Sequence, residues 1–199
     1  NFVNVDWMVA FEDDGRIVPA SSERSGEPAI EDLEQVIAMA HARGLSVSLK
    51  PHVSFPDSFE NRMEWNSNMA EFSMPRFFAD WARYLESVGQ LAHRTGVEML
   101  VIGTELAGFD RAHRNEWVDL IDRVRVVYDG DIGYCALFNV DDYHFLVDDV
   151  VFWDRVDVIG LSLYVPLSLN DDASPAELNA AWLDNPFGSI GNVIAYLKN

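Results

Sequence analysis

The chain has 199 residues, 49% of them apolar and 12% aromatic, enough apolar surface to bury a substantial core and too much for a disordered segment. Fourteen basic against 33 acidic residues leave a formal charge of −19, which repels phosphate backbones and anionic bilayers and makes nucleic acid and membrane poor partners. A lone cysteine, Cys135, excludes an intrachain disulfide and a cysteine-held metal, and no apolar run approaches the ~20 residues that span a bilayer.

The first strand is predicted over Phe2 to Ala10, followed by a polar loop from Asp13 to Glu27. From Pro28 to Arg43, Ile30, Leu33, Ile37 and Ala40 recur at helical spacing, with proline at the start and Gly44 just past the end. A second strand, Leu45 to Lys50, leads to a helix over Pro75 to Arg94. That helix follows Ser73 as its cap, buries Phe78, Trp81, Leu85, Val88 and Leu91 or Ala92, and stops at Gly96. Glu98 to Gly103 is the third strand, whose aliphatic run bounded by polar residues suits a strand covered on both faces. A third helix over Arg114 to Tyr128 places Trp117, Leu120, Ile121 and Val124 on one side and precedes Gly130. Strands over Ile132 to Phe138 and Val156 to Leu163 follow, and Ser174-Pro175-Ala176-Glu177 forms a capping box that opens a last helix.

Strands alternating with helices predict an α/β fold built on a parallel sheet, in one domain over residues 1–199. Five units fall short of the eight that close a barrel, so periodicity alone leaves two architectures, an incomplete barrel or an open doubly wound sheet. The aromatic stripes read as core, and Cys135 as a small buried residue. The sequence opens in strand-like residues with no leader pattern, which suggests a fragment and leaves the compartment, cytoplasmic or secreted, open.

Neither Gly-x-Gly-x-x-Gly nor a P-loop occurs, no Gly-x-Ser-x-Gly elbow is present, and His41, His52, His93, His113 and His144 lack two-histidine metal spacing on a helix. No cofactor and no metal are expected. Glu105 stands directly after the third strand, in Glu98-Met99-Leu100-Val101-Ile102-Gly103-Thr104-Glu105-Leu106. The carboxyl ends of barrel strands form the rim where active sites are built, so the same rule adds Lys50 and His52 after the second strand, Asn139 after the fourth and Tyr164 after the fifth. Trp153 and Trp182 are candidate rings, although tryptophans at such positions more often serve packing. A carboxylate among imidazole, amide, phenol and indole groups suits neutral sugars, whose faces stack on aromatic rings and whose hydroxyls bond polar tips. Plain structural roles compete with each residue. Glu105 can serve a helix N-terminus or an ion pair, His52 can satisfy loop carbonyls, Lys50 can neutralise nearby acids, and Asn139 and Tyr164 can finish turns and strands.

Leu49-Lys50-Pro51-His52, Val101-Ile102-Gly103-Thr104-Glu105-Leu106, Trp117 to Tyr128-Asp129-Gly130 with Tyr134-Cys135-Ala136, Phe152-Trp153-Asp154-Arg155-Val156-Asp157-Val158-Ile159-Gly160 and Tyr164-Val165-Pro166-Leu167, in that order, resemble glycoside hydrolase family 113. The likeness covers nearly the whole chain. It implies a (β/α)8 TIM-type barrel of the retaining β-mannanase kind, with the five predicted strands as strands two to six and Glu105 as the acid/base. In that family the nucleophilic glutamate follows the seventh strand, and no position here corresponds to it. Many relatives in the clan place asparagine where Thr104 stands.

The resemblance therefore implies a glycoside hydrolase-like domain acting on β-mannan or a related β-linked glycan by a two-carboxylate mechanism. Retention needs carboxyl groups ~5 to 5.5 Å apart, so these residues alone are expected to be inactive. A non-catalytic glycan-binding barrel is the alternative. The expected partner is an oligo- or polysaccharide, and the open edges of an incomplete barrel predict self-association. Lys50 and Lys198 are the only lysines, and so acidic a surface suits high salt or a neutral ligand.

Overall fold

Strand order separates the two architectures left open above. The computed structural model describes residues 1–19, 22–23, 25–54, 73–106, 108–138, 149–163 and 167–183. Among them β1 (Phe2–Ala10), β2 (Ser46–Ser54), β3 (Met99–Thr104), β4 (Asp131–Phe138) and β5 (Val158–Leu163) form one sheet, all parallel. Their order in space is their order in the chain. A doubly wound sheet reverses its order at a switch point, so this uninterrupted progression is barrel-type winding. The helices α1 (Ile30–His41), α2 (Ser73–Thr95) and α3 (Arg114–Val127) connect the first four strands, and α4 (Pro175–Leu183) follows β5.

Every predicted element is present, with shifted ends. β2 runs four residues further than predicted, through Pro51 to Ser54. Proline lacks the N–H a ladder uses, so the strand pattern breaks at Lys50 although the pairing of Trp7 with Pro51 and of Met8 with His52 continues. His52 therefore lies within the strand. Ser73 is the first residue of α2, buried, rather than a cap before it. Gly44 and Gly96 end α1 and α2 as predicted, with φ of 70° and 72°, and the following amides turn back so that Leu45 N–H reaches Ala40 O at 3.2 Å and Val97 N–H reaches Ala92 O at 2.9 Å. At α4 the Ser174 amide donates to Glu177 Oε2 at 2.8 Å and the Glu177 amide to Ser174 Oγ at 3.3 Å, the reciprocal pair of a capping box.

The core occupies one side of the sheet. Trp7 and Val9 of β1, Val47, Leu49 and Val53 of β2, Leu100 and Ile102 of β3 and Ile132, Tyr134 and Ala136 of β4 pack with α1, α2 and α3 in a single cluster. The predicted aromatic stripes are part of it. Phe77, Trp81 and Trp117 are fully buried, and both indoles find carbonyls: Trp81 Nε1 donates to Ile102 O at 2.9 Å and Trp117 Nε1 to Phe109 O at 2.8 Å. A buried donor without such a partner is costly, so these bonds fix the helices at definite heights along β3 and the loop after it.

Trp81→Phe keeps most of the ring volume and strips the donor from Ile102 O. It is expected to lower unfolding free energy by about 1–3 kcal/mol, read from urea denaturation midpoints at constant slope.

Candidate functional site

Parallel pairing brings all carboxyl strand ends to one rim, and at that rim β3 carries an irregularity. Val101 pairs with Gly133, but Cys135 pairs with Thr104, one residue later than a regular ladder allows. An extra residue in a strand inverts the faces its side chains occupy beyond it. Gly103 sits in this bulge, where a Cβ would stand 2.9 Å from Tyr134 Cε2 and 3.0 Å from Leu106 Cδ1. Beyond it Glu105 adopts a left-handed backbone, φ 53°, uncommon for a residue with a side chain. Its amide donates to Cys135 O at 2.8 Å, which ties the turn to β4. The carboxylate is half-buried at the rim.

Lys50 and His52 share one face of β2, opposite the buried Val47, Leu49, Pro51 and Val53. In the β1–β2 register Lys50 lies beside Asp6 and His52 beside Met8. Lys50 also lines a shallow groove with Asn4, Ser48, Val101, Cys135 and Gly160, the sheet face turned away from the helices. Both residues are half-buried. Cys135 corrects the expectation of a core cysteine: it is half-exposed on this same face, its Sγ 3.4 Å from Ser162 Oγ, because β4 turns Ile132, Tyr134 and Ala136 to the helices and its alternate residues the other way. Trp153 lies in a short helical turn (Trp153–Arg155) before β5 and packs edge-to-face on Tyr134 with centroids 5.7 Å apart. That places it on the helix side of the sheet, and the structure does not bring it beside Lys50 or His52. Asn139 and Tyr164 lie outside the described residues, and Trp182 is exposed on α4.

Two residues that were not among the candidate site residues stand behind the Glu105 turn. Tyr134 is fully buried, and its hydroxyl accepts from the Leu106 amide at 3.1 Å while donating to Asp110 Oδ2 at 2.9 Å. Asp110 is 2% exposed, and its Oδ1 has no hydrogen-bond partner among the described residues. Burial pushes the Asp110 carboxyl up to about 6, against which the Tyr134 bond and the Arg111 charge pull only partly. Burial also raises the Tyr134 phenol well above its ordinary value, with the Asp110 charge adding to it. Both groups hold their protons more firmly than free side chains, for the same reason.

Comparison with known proteins gives a coherent result. Residues 21–185 match the family model for Glycoside Hydrolase Family 113, a span that contains Lys50, His52 and Glu105. A solved family 113 β-1,4-mannanase superposes with a TM-score of 0.70 at 25% identity over 84% of this chain and 52% of its own. The family 113 β-mannanase of Alicyclobacillus acidocaldarius gives 0.67 at 26% identity, over 84% of this chain and 52% of its own. A further β-1,4-mannanase complex gives 0.67 at 25% identity, over 90% of this chain and 55% of its own. The chain thus spans about half the length of the solved structures it matches, and its α/β fold is that of an arc of their (β/α)8 barrel. No curated protein sequence matches significantly. Among the described residues no helix is long and apolar enough to cross a membrane.

Asp110 yields a signature independent of turnover. Its folded-state value, about 6, lies above the ordinary 3.8, so the stability it confers is complete below pH 4 and is lost as pH rises through 6. The loss amounts to about 3 kcal/mol at most. Glu86, held low by the Arg123 guanidinium, acts in the opposite sense below its own range. The wild-type minus Asp110→Asn difference in unfolding free energy should therefore fall between pH 4 and 6 and be flat above 7, measured by urea titration at each pH.

Proposed function

The chain belongs to glycoside hydrolase family 113, and on that footing we propose that Glu105 is the acid/base of a retaining hydrolase of β-mannan or a related β-linked glycan. The observation that carries this reading is the position of Glu105: one carboxylate, immediately after a bulged central strand, on the rim of a sheet that superposes on β-mannanases. Retaining hydrolysis needs two carboxyl groups. In the first step Glu105 would give its proton to the glycosidic oxygen as the C1–O bond breaks and the second carboxylate bonds to C1. In the next it would take a proton from the water whose oxygen displaces that carboxylate. No position of these 199 residues is assigned the nucleophile, so by themselves they are expected to turn over little or no substrate.

Lys50 and His52, on the sheet face opposite the helices, would hold sugar hydroxyls, and Asn139 and Tyr164 would join them from the ends of β4 and β5. Trp153 would act from behind, through Tyr134. A net charge of −19 favours a neutral substrate over an anionic one. β1 and β5 each pair on one side only among the described residues, which supports self-association of these residues when alone.

Glu105→Gln in the full-length protein tests the assignment. Release of reducing sugar from β-mannan should fall about 10²- to 10⁴-fold while manno-oligosaccharide binding persists. Unchanged turnover would remove Glu105 from the mechanism. A wild-type protein that binds the glycan and never cleaves it would instead be a non-catalytic binding barrel.

A further inference from the structure

Glu105 is held in an unfavourable backbone conformation, and such a conformation persists only where its surroundings over-determine it. Among the described residues, hydrogen bonds tie this turn to β4 and to the segment before β5. The Glu105 amide is held by Cys135 O at 2.8 Å and the next amide, Leu106, by the hydroxyl of Tyr134 at 3.1 Å, so adjacent residues of β4 grip adjacent peptides of the turn, one by backbone and one by side chain. Tyr134 passes its own proton donation to Asp110 Oδ2 at 2.9 Å, and the Asp110 amide returns to Leu106 O at 3.0 Å. Asp110 O in turn accepts from the Val151 amide at 2.9 Å, which anchors the set to the segment before β5.

The tyrosine has little freedom to do anything else. Its ring lies edge-to-face against Trp117, Phe152 and Trp153, at centroid distances of 5.6, 5.0 and 5.7 Å. Gly103 leaves the opening through which the ring reaches the turn. A carboxylate buried to 2% exposure, with one oxygen unpartnered among the described residues, is a poor choice for packing alone, since an apolar residue of like size would fill the space at lower cost.

We propose that Tyr134 and Asp110 are positioning residues for Glu105: the Tyr134 hydroxyl, oriented by the Asp110 carboxylate, clamps the Glu105–Leu106 peptide and so aims the acid/base across the rim. The proposal rests on the catalytic reading of Glu105 given above. Neither residue touches substrate. Both act through the backbone from the helix side of the sheet, so they govern the chemical step and leave ground-state sugar contacts alone.

The test uses Tyr134→Phe, Asp110→Leu and Asp110→Asn in the full-length protein. Tyr134→Phe removes one oxygen and keeps the ring, and kcat on a manno-oligosaccharide should fall about 10- to 100-fold with KM changed less than about threefold, the scale expected when a reacting group is misplaced by about an ångström. Asp110→Leu should match it, and Asp110→Asn, whose amide oxygen still accepts from the phenol, should recover most of the loss. Hydrogen exchange at the Leu106 amide, which needs no activity, should accelerate at least tenfold in Tyr134→Phe and Asp110→Leu. Unaltered Leu106 exchange would overturn the clamp, and faster exchange with unchanged kcat would overturn its positioning role. Wild-type turnover in Glu105→Gln would instead defeat the catalytic reading, with Leu106 exchange still deciding whether the clamp exists.

Discussion

Between Val101 and Thr104 the chain advances three residues while its partner β4 advances two, from Gly133 to Cys135. Before that point β3 alternates as a regular strand, with Leu100 and Ile102 in the core and Val101 in the groove on the opposite face. Beyond it Thr104 stands level with Cys135, and the chain leaves the sheet through a left-handed residue. A glycine in the bulge is what makes this compatible with the packing behind it, since a methyl group at Gly103 would run into the Tyr134 ring. The path of the chain into Glu105 is thus decided by one surplus residue and one missing side chain.

The turn that follows is short and strongly rooted. Leu106 and Phe109 are fully buried, Phe109 lies 4.6 Å from Phe77 by ring centroids, and its carbonyl takes the Trp117 indole proton. Helices α2 and α3 therefore hold the rim through aromatic side chains. The arginine pairs that join neighbouring elements, such as Arg123 with Glu86 and Arg94 with Glu34, are all partly exposed, and pairs of that kind contribute roughly 0–1 kcal/mol each. Packing carries the site's rigidity, and charge contributes little to it.

Much of this was legible beforehand. Strands and helices announce themselves by period, and the aliphatic run ending in Gly103-Thr104-Glu105 marks the rim without any alignment. Strand order was not legible from periodicity, because five strand-helix units suit a barrel and an open sheet alike; the family resemblance implied the barrel order that the sheet shows. The continuation of β2 past Pro51 escaped for a local reason, a residue whose chemistry argues against a strand that tertiary pairing nevertheless extends. Tyr134 and Asp110 escaped for a non-local one. Asp110 is one of 33 acids, Tyr134 reads as an ordinary strand aromatic, and only the fold places them together across 24 residues of sequence. Glu98 is similar: it reads as the polar end of a strand, yet its Oε2 accepts the Val47 amide at 2.7 Å and faces His41 Nε2 at 3.3 Å, tying the starts of β2 and β3 together.

The two faces of the sheet divide the work. One buries the aromatic and aliphatic core against three helices. The other carries Asn4, Ser48, Lys50 and Cys135 beside the apolar Met99, Val101 and Val158. Lys50 is the one lysine among the described residues, and it lies on this second face, directly across from Asp6, whose carboxylate also accepts from Asn4 Nδ2 at 2.5 Å. A compact ammonium there offsets a nearby acid in a molecule whose surface is otherwise strongly negative. Glu105 follows the bulge at the end of β3, half-buried, with Leu106 and Phe109 of the core directly behind it in the chain.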